Sequence, residues 1–160
     1  MTALLGYSVK DEDLAAKDLF LAQPTSCYIL RGADPFGILE PISYTKGVIG
    51  KKAVVQWGRY LFFVSRDGLE FLGPQGDPIL ISPHVNPYFL GGGPLSLAKN
   101  IGDEYVTLEI NGGKLLITLR DQSGFVWGNK ALVLDLERFN PFEPKADATA
   151  FYTLWYLVGG

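Results

Sequence analysis

From position 18 onward, apolar residues come in short runs, each interrupted after a few residues by glycine, proline or a charge. Runs of that length suit β-strands, whereas a helix needs a longer stretch with apolar positions spaced three and four apart. The pattern predicts strands over 26–31, 53–57, 60–65, 69–72, 79–82, 105–110, 114–120, 130–136 and 151–158. The connections between them leave no room for crossover helices, so the pairing is expected to be antiparallel. Tight turns are expected at Trp57-Gly58-Arg59, Arg66-Asp67-Gly68 and Asn111-Gly112-Gly113, where glycine can adopt the positive φ of a hairpin. The one helical signal is KDEDLAAK at 10–17, with acids in its first turn and Lys17 in its last, as the helix dipole prefers.

One strand phrase recurs. Residues 60–67 read YLFFVSRD and residues 114–121 read KLLITLRD, and a fainter copy, DLFLAQ, occupies 18–23. Leu19, Leu61 and Leu115 hold the same place in the three copies, 42 and 54 residues apart. Repeats a few tens of residues long and made of short strands are the mark of a β-propeller or another all-β array. The expected fold is therefore all-β, with antiparallel propeller-like blades and a short N-terminal helix. As one β-rich domain, the chain divides into an arm at 1–17, a first blade region at 18–82, a linker at 83–104 rich in proline and glycine, and a second blade region at 105–160. About two full units and some fragments are expected, with open edges at both ends. The last strand would offer Phe151, Leu154, Trp155 and Leu157 to another subunit or to further sequence, because an unpaired apolar edge invites pairing.

Composition narrows the partners. Hydrophobic residues make up 48% and charged residues 19%, with 19 glycines and 10 prolines, which suits an ordered chain of many turns. The net charge of −3 is spread without a basic stripe, so no nucleic-acid partner is expected. No run reaches the roughly 20 apolar residues of a membrane helix, and MTALLGYSVKDEDL lacks the basic start and long apolar middle of a signal peptide. With one cysteine, Cys27, neither an internal disulfide nor a cysteine-built zinc site can form, and a small buried group is the plain reading.

No catalytic, cofactor or metal site is expected. His84, the only histidine, could be set with Ser82 and Asp67 as a triad, but no nucleophile-elbow motif surrounds the serine. Asp11, Glu12 and Asp13 lack the further ligands of a calcium loop, and no Gly-Lys-Ser or Gly-Lys-Thr follows the glycines at 91–93. Trp57, Trp127 and Trp155 could stack on sugars, yet each lies in or at the end of a strand-like run, which favours burial. The recurring Arg66-Asp67 and Arg120-Asp121 corners read as ion pairs or Asx turns.

The stretch from 26 to 85, SCYILRG through GVIG, VV and LFFVSRDG to ILISPHV, resembles the β-propeller proteins of tailed-phage tails, the tail-nozzle or tubular-protein class. The carrying residues are Leu30 to Gly32, Gly47 to Gly50, Val54 and Val55, Leu61 to Gly68, and Ile81 with Ser82; LLITLRDQSG and NKALVLDLERF look like the next blade. The resemblance covers about 15–140. It implies a non-enzymatic virion protein of the tail or head-tail junction, made in the host cytoplasm and assembled with its own copies or other tail subunits. A carbohydrate-binding β module is the alternative. Members of that class are longer, so the chain is either part of a larger virion protein or one of several chains that complete each other.

Overall fold

The computed structural model describes residues 3–7, 18–31, 37–74, 76–82, 106–119, 130–145 and 151–155. Among these residues, twelve strands form three four-stranded antiparallel sheets, each an up-and-down run of consecutive strands. Sheet 1 holds β1 (Ala3–Tyr7), β2 (Asp18–Ala22), β3 (Cys27–Arg31) and β4 (Ile38–Ser43). Sheet 2 holds β5 (Val54–Trp57), β6 (Tyr60–Ser65), β7 (Gly68–Leu72) and β8 (Ile79–Leu80). Sheet 3 holds β9 (Val106–Asn111), β10 (Lys114–Leu119), β11 (Lys130–Asp135) and β12 (Phe151–Trp155). The all-β antiparallel expectation holds. The described residues contain no helix, and the helix expected over 10–17 lies outside them.

Two readings of the sequence change. DLFLA is no fragment of a blade but the second strand of a complete sheet, because β1 and β4 flank β2 and β3. The span 18–82 therefore holds strands of two sheets, while 83–104 lies outside the described residues. β1 sits in what reads as an N-terminal arm, and β4 contains Pro41, which removes an amide from the ladder and is tolerated because β4 is an edge strand. A register shift near Cys27 and Tyr28 absorbs the irregularity.

The glycine turns form as expected. Trp57 pairs with Tyr60 across Gly58, whose φ is +54°. Asn111 pairs with Lys114 across Gly112 and Gly113, both at positive φ as a type I′ turn requires.

The sheets stack face to face, with sheet 2 in the middle. Burial shows this directly: in sheet 3, β9 alternates between buried and exposed positions, whereas every residue of β7 is buried. A strand covered on one face alternates and a strand covered on both does not. Between sheets 1 and 2, the rings of Phe20 and Phe63 meet at 5.8 Å. On the other face of sheet 2, Trp57, Phe62 and Phe71 pack on Phe139, which follows β11 of sheet 3. The first strands gather together, β1 beside β5 and β5 beside β9, so the sheets fan outward from one line, and the three sheets formed by the described residues do not close into a ring.

The connection at 44–53 ties the three sheets through its backbone. Val48 donates to Gln23 O in the β2–β3 turn at 2.9 Å, Ile49 to Val64 O on β6 at 3.1 Å, and Leu108 of β9 donates to Lys52 O at 2.8 Å. Val48, Ile49 and Ala53 are buried at this junction. Gly47 makes the approach possible, since a β-carbon there would lie 1.9 Å from Gln23 O and 2.6 Å from Ser26 N. Gly47→Ala is expected to force sheet 1 away from the junction and to cost about 3 kcal/mol, the upper end for overpacking because the obstruction is backbone. Denaturant unfolding measures it; a loss below about 0.5 kcal/mol would contradict this packing.

Candidate functional site

The repeated phrase fixes how the sheets correspond. β2, β6 and β10 are each the second strand of their sheet, and Phe20, Phe62 and Leu116 are each paired with the third strand, at Ile29, Phe71 and Val133. In this register Leu19 and Leu21 match Leu61 and Phe63, and Leu115 and Ile117. The side chains of a strand alternate between faces, so each of these pairs lies on the same face of its sheet. Call that the back face, the one turned toward the preceding sheet, and the opposite one the front.

The back face of sheet 2 rests on sheet 1, with Leu61, Phe63 and Leu72 wholly buried. The back face of sheet 3 is equally closed, with Leu108, Leu115, Ile117, Leu132 and Leu134 in the shared core. The back face of sheet 1 has the same character: Leu4, Leu19, Leu21, Tyr28, Leu30 and Leu39 are all apolar. Yet Leu4 is 56% and Leu39 is 55% exposed, and Leu19, Leu21, Tyr28 and Leu30 are only half-buried. Tyr44 stands edge-on to Tyr28 at 6.3 Å at the rim of this face. Contiguous exposed apolar surface is unusual on a sheet face, and this makes the back face of sheet 1 the candidate site.

The interface expected from the sequence lies at the other end of the stack. β12 forms, pairs with β11 and is the outermost strand of sheet 3 among the described residues. It carries Phe151, Leu154 and Trp155, while Leu157 lies outside the described residues. The back face of sheet 1 was not read as a site from the sequence, although Leu19 and Leu21 in the fainter copy of the repeat carried the signal.

Other candidates take structural roles. Ser82 is wholly buried, and its Oγ accepts a hydrogen bond from the Leu69 amide at 2.8 Å. His84, Trp127, the acids at 11–13, the glycines at 91–93 and the corner at 120–121 lie outside the described residues. At the 66–67 corner the supporting side chain is Ser65, whose Oγ accepts from the Asp67 amide at 3.0 Å. Trp57 packs in the aromatic cluster between sheets 2 and 3. A cleft of about 300 Å³ opens between sheet 1 and the β7–β8 connection, lined by residues including Ile29, Arg31, Ile42 and Asp77. Its cation, Arg31, is held by Asp18 at 3.2 Å and by Glu40. No group of three or more potential metal ligands occurs among the described residues.

One polar cluster is built into the seam between sheets 1 and 2. Glu70 is wholly buried on the back face of sheet 2; its Oε2 receives Lys46 Nζ at 2.7 Å and its Oε1 receives Ser65 Oγ at 2.9 Å. Lys46 also donates to Pro78 O at 3.2 Å, so it links the 44–53 connection to β7 and to the approach to β8. Cys27 lies in the same seam. Burial pushes its thiol up from 9.0 to about 12; the Glu70 charge acts in the same direction, and a Ser43 backbone hydrogen bond and Lys46 act against it.

A raised thiol pKa means that the fold holds the neutral form. The thiol's contribution to stability is complete below pH 9 and is lost as pH rises toward 12. At pH 8 a disulfide reagent is expected to leave the folded protein untouched and to titrate one thiol in denaturant. Fast reaction of the native protein would contradict the burial of Cys27.

No family model matches the chain, and no curated protein matches it. The functional reading rests on the repeat and on the surfaces it leaves open.

Proposed function

We propose that the chain is a structural protein of a phage particle, in the tail or head-tail junction, whose three sheets are consecutive propeller-type blades. The observation that carries this reading is the in-register recurrence of one four-stranded unit, with the first strands gathered and the sheets fanning away from them. Propeller blades have that strand count, order and radial arrangement. The resemblance of 15–140 to tail-nozzle and tubular proteins supplies the particle. Rigid assembly is the work such a unit does: its buried polar groups are engaged in holding the structure together, Glu70 through Lys46 of the 44–53 connection and Ser82 through the Leu69 amide of β7.

Purified particles of the phage that encodes the chain provide the test. Peptides from this chain are expected in the particle by mass spectrometry, and labelled antibody is expected to mark the tail or its junction with the head. Expression in infected cells with none of the chain in the particle would overturn the reading.

A further inference from the structure

The two seams between the sheets correspond, and one lacks a part that the other has. In sheets 2 and 3, the connection from the third strand to the fourth lies against the front face of the preceding sheet. In sheet 3 this connection begins at 136 and places Phe139, only 5% exposed, on the front of sheet 2, with its ring 5.2 Å from Phe71 and 5.5 Å from Phe62. In sheet 2 the same connection is 73–78, which reads GPQGDP and carries no aromatic residue. Against the front of sheet 1 it leaves the cleft of about 300 Å³. Ile29 in the cleft wall is the counterpart of Phe71, since each pairs with the matching residue of its second strand, Phe20 or Phe62. The cleft therefore lies where Phe139 sits one seam further on. Its volume admits an aromatic ring, because about 150 Å³ of apolar space already holds benzene.

The chain presents such a ring to solvent. Phe142 is 82% exposed, three positions beyond Phe139 on the same connection. An Asx turn holds it out: Asn140 Oδ1 accepts from the Phe142 amide at 3.1 Å, and Asn140 O accepts from the Glu143 amide at 3.1 Å. At that exposure the ring does not enter the cleft of its own chain, so a second copy is needed to bring the two together. We propose that Phe142 of one copy seats in the cleft between sheets 1 and 2 of another, as Phe139 seats between sheets 2 and 3. Charge suits the pairing. Exposed Glu143 and Lys145 follow Phe142, and Arg31 and exposed Asp77 border the cleft, so each sign beside the ring has its opposite beside the cleft. The inference rests on the correspondence of the seams and not on the particle assignment. One ring per cleft makes a weak contact, so copies are dissociated at the low concentrations of unfolding experiments and Phe142 adds little to the stability of a single copy.

Sedimentation of the full chain between about 10 μM and about 1 mM, the range of weak interfaces, is the first test. The mass is expected to rise above 17.6 kDa with concentration. Phe142→Ala should weaken association by roughly thirtyfold or more, as loss of a central aromatic contact does. Gly73→Phe should do the same by supplying a ring from within the chain. A β-carbon at Gly73 meets no atom within 4 Å and its φ is not positive, so the fold accepts the substitution. Both variants should melt no lower than the wild type. The second test locates the contact: a peptide of residues 138–145 is titrated into the Phe142→Ala protein, and the amide NMR signals of Ile29, Ile42 and Gly73 are expected to move. A mass that stays constant to the highest concentration would overturn the proposal. So would association that survives Phe142→Ala, which would assign it to another surface, such as the back face of sheet 1. Shifts confined to other residues would overturn it too, as would shifts at the cleft that need Phe36→Ala, because Phe36, outside the described residues, would then be the occupant in its own chain. Absence of the chain from particles would leave this contact standing.

Discussion

Phe62→Ala is expected to remove about 3–5 kcal/mol of stability, a large part of what a domain of this size possesses. Phe62 is wholly buried in the centre of the middle sheet, with its ring 5.3 Å from Phe71, 5.5 Å from Phe139 and 5.9 Å from Trp57. Truncation removes the ring from three aromatic neighbours at once and leaves a cavity that strands on both sides hold open. Phe139 reaches this site from the segment after β11, so the substitution also loosens sheet 3 from sheet 2. Phe142→Ala is the control: at 82% exposure it should change stability by no more than about 0.5 kcal/mol. Denaturant titration followed by tryptophan fluorescence would measure both. Similar values for the two variants would contradict the aromatic cluster as the joint between sheets 2 and 3.

Lys46→Met is expected to cost about 3 kcal/mol by stranding the carboxylate of Glu70. Removing one partner of a buried ion pair is more damaging than replacing both, because the remaining charge has neither water nor a counter-ion. Glu70 is wholly inaccessible, and the lysine side chain is 25% exposed, which places the cost at the lower end of the range for buried pairs. Ser65 alone cannot compensate, since its hydroxyl serves only Oε1. The pairing makes a sharper prediction through the double variant. Lys46→Met with Glu70→Gln removes both charges while keeping an acceptor for Ser65, and should recover most of the loss. Melting of the four proteins would decide it, and additive costs for the two substitutions would sink the argument.

Much of the strand content was legible because it depends on local chemistry. The strand expected at 60–65 is β6, Tyr60–Ser65, to the residue, and 114–120 differs from β10 by one position. Gly58, Gly112 and Gly113 adopt the positive φ that their turns suggested. β4 was missed because Pro41 interrupts its apolar run, and a proline is compatible with a strand only where the ladder ends, a fact of neighbourhood and not of sequence. β1 was missed because its few residues, ALLGY, become a strand by pairing with β2.

The sequence by itself determined that the chain repeats an antiparallel strand unit. Alternation, glycine turns and the recurring phrase are encoded within a few residues of one another, where backbone sterics act directly. The tertiary structure alone decided how the described strands divide into units and which of their faces are covered. Glu70 looks in sequence like an outward-facing residue of a strand, and it is buried because Lys46, 24 positions earlier, is folded back onto it. Leu21 and Phe63 hold equivalent places in the repeat, yet one is half-exposed and the other sealed. Burial is set by what lies across the face of a sheet, and a strand's own residues fix only the direction in which each side chain points.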